Sequence, residues 1–256
     1  MKEVAINAAM ESGKIIMANF KKKHNMKEKS YHEDVTEVDS LAEKKIISII
    51  KEKYPNHQIL GEESGLEKTD SEYKWIIDPI DGTTNYSMMH PFFNTSIGLV
   101  KSGEIILGVT YAPVTDEMFV AQKGKGAFLN GKRIHVSKKS ELEISSAAYC
   151  HGKTPEDIKN IIQIFSSLKP KVRDITRMKS AALELAFTAC GRVEAFVYNN
   201  MKPWDVAAGV LLVRESGGKV TDFFGNEWDL TKNNVLATNG LIHENVLDIL
   251  NSIMKK

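Results

Sequence analysis

The 256-residue chain contains only two cysteines, Cys150 and Cys190. Two cysteines are too few for a disulfide framework or a four-ligand zinc site. Neither begins a Cys-x5-Arg loop, in which a cysteine thiolate attacks phosphorus, because Glu156 and Phe196 stand where the arginine would be. The sequence therefore favours two reduced, mostly buried thiols and disfavours covalent thiol chemistry.

The chain also lacks an excess of charge of either sign and a long apolar run. Its 34 basic and 33 acidic side chains give a formal net charge of +1, so no overall field attracts nucleic acid or an anionic membrane. Glu3, Asn7 and Glu11 interrupt the apolar residues near the N-terminus, which therefore does not resemble a secretory signal or a membrane span. We expect a cytoplasmic protein that binds neither nucleic acid nor membrane.

The spacing of apolar residues predicts a chain of helices and strands. It predicts one helix over about residues 2–24 and a second over about 36–53, with Thr36 as a candidate cap. From residue 75 onward, short runs rich in Ile, Val, Phe and Tyr predict a sheet. Beyond residue 140 the predicted elements are helices near 155–168, 180–190 and 205–215 and from about 243, and the strands VEAFVY and NVLATN.

Asn130-Gly131 lies between two strand-like runs and predicts a two-residue hairpin. The same stretch nearly matches the nucleotide-binding pattern GxxxxGK[ST], but Arg133 replaces the hydroxyl residue, so the hairpin is preferred. The predicted fold is mixed α/β: a single domain over residues 1–256, with sub-domains of about 1–140 and 141–256 packed as one unit.

The segment WIIDPIDGTTNY, residues 75–86, contains the clearest chemical pattern. An apolar strand leads directly into Asp78 and Asp81, and carboxylates clustered at a strand end repel one another unless a cation neutralises them. Pro79 interrupts the hydrogen-bonded ladder, so both aspartates could point toward one ion. The pattern predicts a metal site, with a polar turn as the alternative for the short Asp-x-x-Asp-Gly-Thr motif alone.

Gly82 and Thr83 follow the two aspartates and suggest a phosphate site. Gly82 allows the backbone to approach a ligand closely, the amides of both residues could bind phosphate, and the Thr83 hydroxyl can orient a water molecule. The three-residue step from Asp78 to Asp81 does not match the Asp-x-Asp-x-Thr loop of phosphatases that form an aspartyl-phosphate. A covalent phospho-aspartate is therefore disfavoured.

Further acidic residues lie at the ends of other predicted elements. Glu62 and Glu63 end the apolar run in ILGEESG, and Asp205 begins a helix in KPWDVAAG. An exposed acidic turn and an N-cap aspartate are the ordinary interpretations of these two patterns.

The segments GEES, WIIDPIDGTTNY, GVTYAPVTDEMFVAQKGKGAFLNGKRIHVS and PWDVAAG occur in this order and resemble the inositol monophosphatase family of metal-dependent, lithium-sensitive phosphatases. The similarity spans about residues 1–250. It implies a layered α-β-α-β-α fold, a homodimer, and two or three Mg²⁺ ions per site that assist hydrolysis of a phosphate monoester on a small metabolite. Such ions make water nucleophilic and prefer hard carboxylate oxygens.

The resemblance assigns metal-binding roles to five residues. Glu62, Asp78 and the carbonyl of Ile80 would hold a first ion. Asp78, Asp81 and Asp205 would hold a second ion, and Glu62 would also contact a third, more weakly bound one.

The resemblance also assigns catalytic and phosphate-binding roles. Thr83 and Glu62 would position the attacking water, and Asp39 matches an acidic residue near the threonine and that water. The amides of Gly82 and Thr83 would bind phosphate.

The substrate side of the predicted site departs from the family pattern at two positions. Lys179 stands where relatives commonly have glycine, and it could contact a second phosphate or extend into solvent. Ser180 follows it as a candidate helix cap whose hydroxyl would face the substrate. Tyr198 stands where inositol-selective members carry a glutamate, so a charged acceptor for substrate hydroxyls is missing.

Several substrates are compatible with this pattern. Inositol monophosphate and fructose 1,6-bisphosphate are the favoured candidates, and histidinol phosphate is an alternative. A catalytically idle, dimeric binding protein on the same scaffold is an alternative of another class, against which the complete set of carboxylates argues.

Overall fold

The computed structural model describes residues 1–22, 27–30, 33–35 and 37–254. The helices in these ranges are α1 (Lys2–Asn19), α2 (Glu37–Lys53), α3 (Thr83–Ser87), α4 (Pro155–Leu168), α5 (Ala181–Ala189), α6 (Pro203–Glu215) and α7 (His243–Met254), with short 3-10 turns at Leu142–Ile144 and Lys169–Lys171. The strands are β1 (Lys27–Ser30), β2 (Glu33–Val35), β3 (Gln58–Gly61), β4 (Gly65–Glu67), β5 (Tyr73–Asp81), β6 (Asn94–Lys101), β7 (Glu104–Ala112), β8 (Glu117–Gln122), β9 (Gly126–Leu129), β10 (Lys132–Ile134), β11 (Ser146–His151), β12 (Asp174–Thr176), β13 (Ala195–Asn199), β14 (Lys219–Thr221) and β15 (Asn234–Thr238).

The strands form two large sheets, one in each half of the chain. The first sheet has eight strands in the order β10-β9-β8-β7-β6-β5-β3-β4, with β3 and β5 parallel and the other neighbours antiparallel. The second has five strands in the order β12-β11-β13-β15-β14, and β11 is parallel to both of its neighbours. β1 and β2 form a separate two-stranded sheet. The chain passes from the first large sheet to the second between Ile134 and Ser146.

Helices and sheets alternate in five layers. α1 and α2 cover one face of the eight-stranded sheet, and α5 and α6 lie between the two large sheets. α4 and α7 cover the outer face of the five-stranded sheet. Each apolar face is therefore buried against another layer. The mixed α/β class predicted from the sequence and the α-β-α-β-α layering implied by the family resemblance are confirmed.

Small residues bring α6 close to the eight-stranded sheet. A Cβ atom added to Gly108 of β7 would lie 2.5 Å from the backbone oxygen of Ala208 on α6. One added to Gly98 of β6 would lie 3.0 Å from the Cβ of Ala207. Any larger residue at Gly108 would push the helix away from the sheet. This contact therefore fixes the position of the first turn of α6, which carries Asp205.

The first helix is shorter than the sequence predicts. α1 ends at Asn19 instead of near residue 24, because Phe20 has an extended backbone and Lys21 a left-handed one, with φ of 66°. These two conformations cannot continue the hydrogen bonding of an α-helix. The predicted cap Thr36 lies outside the described residues.

Two local predictions are confirmed. The helix predicted near 155–168 is α4, and Thr154 caps it through a reciprocal pair of hydrogen bonds with Asp157. Asn130 and Gly131 connect β9 to β10 with φ values of 49° and 76°, as a tight antiparallel hairpin requires. Because the chain continues from this turn into a strand, the near-match to a nucleotide-binding loop is a hairpin.

Candidate active site

The site begins at an irregular end of β5. Asp78 pairs with Ser96 and Asp81 pairs with Asn94, so β5 has one more residue than β6 across this interval. The extra residue forms a β-bulge beside Pro79, a residue that cannot donate to the ladder. A bulge re-aims side chains, and both aspartates, which are 3% and 7% exposed, line one cavity.

The cavity has a volume of about 720 Å³ and lies between the two halves of the chain. Most of the residues that the sequence singles out line it: Glu62, Asp78, Ile80, Asp81, Gly82, Thr83, Lys179, Tyr198 and Asp205. Asp39 and Ser180 lie behind this lining, in contact with residues that face the cavity. The structure therefore brings together residues from the turn after β3, from β5, α3 and β13, from the loop before α5 and from the N-terminal end of α6.

The carboxylates of the cavity raise one another's pKa values. Burial raises the pKa of Asp78 well above its usual range, and the negative charges of Glu62, Asp81 and Asp205 raise it further. Burial also raises the pKa of Asp205 to about 6, although a hydrogen bond from the Lys202 amide opposes the shift. Such shifts mean that ionising the whole set is unfavourable until a cation enters.

Asp81 is held by the N-terminus of α5. Its Oδ2 accepts hydrogen bonds from the hydroxyl of Ser180 at 2.8 Å, the amide of Ala182 at 2.9 Å and Nδ2 of Asn94 at 2.7 Å. Its Oδ1 accepts from the amide of Ala181 at 3.1 Å. Burial raises the pKa of Asp81, but these donors stabilise its ionised form and limit the shift.

The contacts of Ser180 differ from the sequence prediction. Ser180 occupies the N-cap position of α5, but its side chain does not cap the helix. The hydroxyl is fully buried and donates to the carboxylate of Asp81, so it supports a cavity residue instead of facing a substrate.

Thr83 and Asp39 are paired, as the family resemblance implies. The Thr83 hydroxyl lies 3.1 Å from Oδ1 of Asp39 and 2.9 Å from the Ile80 carbonyl oxygen. Asp39 is 1% exposed and comes from the first turn of α2.

Gly82, which precedes Thr83, has φ of 94°, and a Cβ there would lie 2.7 Å from the Phe92 carbonyl oxygen. Only glycine fits this position without moving the chain.

Asp205 is the third residue of α6, not its N-cap. Its Oδ2 accepts hydrogen bonds from the Lys202 amide at 2.9 Å and from the Tyr198 hydroxyl at 2.8 Å. Tyr198 therefore contacts an acidic cavity residue in addition to lining the substrate space. These contacts turn the Asp205 carboxylate back toward the start of the helix.

The acidic residues suit a hard divalent cation. Within the described ranges, no three Asp, Glu, His or Cys side chains already surround one point as metal ligands. However, burial, together with the neighbouring Glu62 carboxyl group, raises the pKa of Asp78, so without a cation the protonated form of Asp78 is favoured. Oδ1 of Asp78 is also buried without a hydrogen-bond partner in the described structure. A cation would replace that proton and satisfy that oxygen, and oxygen ligands of this kind suit Mg²⁺.

Basic residues also line the cavity, and sequence reasoning identified only Lys179 among them. The others are His151, Lys153, Arg177 and Lys202. The Arg177 guanidinium lies 5.8 Å from the centre of the Tyr149 ring. Burial lowers the pKa of His151, and the positive charges of Arg177 and Lys179 lower it further. A signal for this cluster was present, since RMKS places two cations immediately before a predicted helix start.

The model of the inositol monophosphatase family matches residues 1–255. A fructose-1,6-bisphosphatase/inositol-1-monophosphatase of Thermotoga maritima is 37% identical over 255 residues, which cover 99% of this chain and 97% of that protein. The Nus factor SuhB of Escherichia coli K12 is 38% identical over 264 residues, covering 100% and 99%. A solved structure of an inositol monophosphatase from Anabaena superimposes with a TM-score of 0.88 at 38% identity, covering 98% of this chain and 95% of that one.

The fold, the cavity and these similarities define a phosphoric monoester hydrolase that acts on a small phosphorylated substrate. The chain belongs to the inositol monophosphatase family, which confirms the resemblance identified from the sequence. Among the helices that the structure describes, none has the length and apolar character needed to cross a membrane.

Proposed function

We propose that this phosphatase hydrolyses a sugar or polyol phosphate by Mg²⁺-dependent attack of water on phosphorus. The observation that carries the proposal is the convergence of four acidic side chains on one cavity, where burial and the neighbouring carboxylates raise the pKa of Asp78. Glu62, Asp78, Asp81 and Asp205, with the carbonyl of Ile80, would hold two or three ions. Bound Mg²⁺ supplies Lewis acidity that activates water and stabilises charge on phosphate oxygens.

The residues next to the carboxylates would orient the reactants. The Thr83 hydroxyl directs its hydrogen toward Asp39 or the Ile80 carbonyl, so its lone pairs are left to accept a hydrogen bond from water. Glu62, which also lines the cavity, would hold this water together with Thr83. The amides of Gly82 and Thr83, at the start of α3, would bind the phosphate oxygens.

The basic residues that line the cavity favour a substrate with a second phosphate. In the described part of the chain, neither Arg177 nor Lys179 forms an ion pair, although both line the cavity. An anionic group on the substrate would neutralise them, whereas the ammonium group of histidinol phosphate would be repelled. Fructose 1,6-bisphosphate is therefore the preferred substrate and inositol monophosphate the second, in line with the double name of the Thermotoga maritima relative.

Phosphate release from the three esters, with and without Mg²⁺, tests this proposal. We expect turnover only with the metal, and a higher kcat/KM for fructose 1,6-bisphosphate than for the other two.

Relatives named as a Nus factor favour a second candidate, a binding protein on the same scaffold. Folded protein that releases no phosphate from any ester in Mg²⁺ would favour that candidate.

We also propose that the protein is a homodimer, because the family resemblance implies one. Size-exclusion chromatography with light scattering should give twice the mass of the chain. A monomeric mass at micromolar concentration would contradict this proposal without affecting the proposed chemistry.

A further inference from the structure

The loop 177–180 carries two of the cations of the cavity between β12 and α5. Its middle residue, Met178, is held from both sides through its backbone. Nδ2 of Asn85 donates to the Met178 carbonyl oxygen at 2.5 Å, and the Met178 amide donates to Oε1 of Glu184 at 2.6 Å. Arg177 and Lys179 therefore flank a residue whose backbone is held in place by two hydrogen bonds.

Glu184 is an unusual residue for its surroundings. It is fully buried on α5 between Leu183 and Leu185, which belong to the apolar core. Its Oε2 accepts a hydrogen bond from the Cys150 thiol at 2.8 Å, so both carboxyl oxygens have partners. Burying a carboxyl group costs free energy that a leucine at the same place would not cost. The cost indicates that the hydrogen bond to Met178 has a function beyond packing.

The backbone of Lys179 depends on the residues that flank it. Its φ of 56° is left-handed, a conformation that costs a non-glycine residue roughly 1 kcal/mol. Such a conformation persists only where the surroundings hold it in place. Met178 is anchored on one side by Glu184, and Ser180 is anchored on the other by its hydrogen bond to Asp81. Loss of either anchor would let Lys179 relax and move its ammonium group.

We propose that Glu184 is a positioning residue that fixes Arg177 and Lys179 against the anionic group of the substrate that is not hydrolysed. The inference rests on the proposed function, because it assumes that the cavity binds a bisphosphate. Glu184 itself touches neither the substrate space nor the carboxylates that would hold Mg²⁺, since it does not line the cavity. Its effect on specificity is transmitted through the Met178 peptide.

The test compares Glu184→Leu with Glu184→Gln in steady-state assays with Mg²⁺. Leucine removes the acceptor for the Met178 amide, whereas glutamine keeps one. We expect Glu184→Leu to raise the KM for fructose 1,6-bisphosphate by about tenfold, with kcat and the KM for inositol 1-phosphate within about twofold of wild type. Glu184→Gln should resemble wild type with both esters. Arg177→Ala is the positive control and should give the same selective increase in KM.

Two kinetic outcomes would overturn the inference. An equal loss of kcat/KM with both esters in Glu184→Leu would mean that Glu184 has only a structural role. An unchanged KM for the bisphosphate would mean that the loop does not need the anchor. These results differ from failure of the proposed function, in which the wild-type protein would release no phosphate from either ester.

Amide hydrogen exchange on the wild-type protein tests the anchor without any variant, in case Glu184→Leu does not fold. The Met178 amide should exchange slowly, because its hydrogen bond ends on a fully buried carboxyl group. Exchange as fast as that of an exposed loop amide would contradict the anchor.

Discussion

At the scale of single residues, hydrogen bonds stabilise the buried carboxylates of the cavity to different degrees. Asp81 accepts four hydrogen bonds from the start of α5 and from Asn94, and Asp205 accepts two. Asp78 instead faces three other carboxylates and has an oxygen without a partner in the described structure. Asp78 therefore depends most on a cation for its ionised form.

Asp205→Asn is expected to remove most of the turnover and leave the fold intact. Asparagine has the size of aspartate and keeps an oxygen that can accept from Lys202 and Tyr198. It lacks the charge that a divalent ion requires, so we expect kcat/KM to fall by roughly 100-fold or more. Steady-state kinetics at saturating Mg²⁺ and the thermal unfolding midpoint measure the two effects. Asp70→Asn, on an exposed loop, is the matched control.

Thr83→Val is expected to slow catalysis, whereas Thr83→Ser is expected to retain it. Valine has the shape of threonine but cannot contact Asp39 or orient water, and we expect a loss of about 100-fold in kcat. Asp39→Asn in the valine background should add little, because the two residues act as a pair. Fully additive losses in a double-mutant cycle would contradict the pairing.

Sequence reasoning identified the site residues to different degrees. Asp78 and Asp81 could be predicted from local pattern alone, because two carboxylates at a strand end already require an explanation. Glu62 and Asp205 each had an ordinary interpretation, and only similarity to a family assigned them to one site. Arg177 and Glu184 were missed. Arg177 belongs to RMKS, but the sequence does not show that this loop faces the acidic residues of the first half of the chain, and the burial of Glu184 against Cys150 depends on tertiary packing.

At the scale of secondary-structure elements, α2 supports the acidic side of the cavity. Asp39 and Glu43 are four residues apart and so lie on one face of the helix, and both are buried. Asp39 holds Thr83, and the Glu43 carboxylate accepts hydrogen bonds from the amides of Glu63 and Ser64 at 3.0 Å and 2.8 Å. The second contact fixes the turn that begins with Glu62.

Glu43→Ala is therefore expected to weaken Mg²⁺ binding although Glu43 does not line the cavity. Two amides next to Glu62 would lose their acceptor, and the turn would become less ordered. We expect the Mg²⁺ concentration for half-maximal activity to rise by about 10-fold to 100-fold. Glu52→Ala, at the exposed end of the same helix, is the control and should leave this concentration unchanged.

The elements that were predicted well are those whose ends are set locally. The bounds of α4 follow from Thr154 and the apolar spacing that comes after it, and both are visible in the sequence. The end of α1 was predicted too late, because apolar spacing does not reveal the extended backbone at Phe20. The β5 bulge was anticipated only through Pro79, since its register depends on pairing with β6.

At the scale of the whole molecule, the cavity joins the two halves of the chain. The first half contributes the carboxylates of β5 and the turn after β3, and the second half contributes the N-terminal ends of α5 and α6. Both helices carry partial positive charge at these ends, which stabilises Asp81 and Asp205. This arrangement lets the fold form with a dense acidic cluster even before a cation binds.

The acidic cluster predicts how Mg²⁺ and pH together affect stability. Because burial raises the pKa of Asp205 from 3.8 to about 6, the metal-free folded protein binds more protons than the unfolded chain between these pH values. The contribution of this group to stability is therefore present at low pH and is lost as the pH rises through about 6. Mg²⁺ requires ionised carboxylates, so its stabilising effect should increase over the same interval.

We therefore expect the increase in Tm on adding MgCl₂ to be larger at pH 7.5 than at pH 5, measured by thermal unfolding against EDTA-treated protein. Asp205→Asn should reduce this difference between the two pH values, because it removes the group whose ionisation Mg²⁺ would otherwise stabilise. Asp70→Asn should leave the difference unchanged, since Asp70 lies on an exposed loop. An equal Tm increase at both pH values would mean that the buried carboxylates of the cavity do not bind the ion, because any ion that they hold must compete with protons.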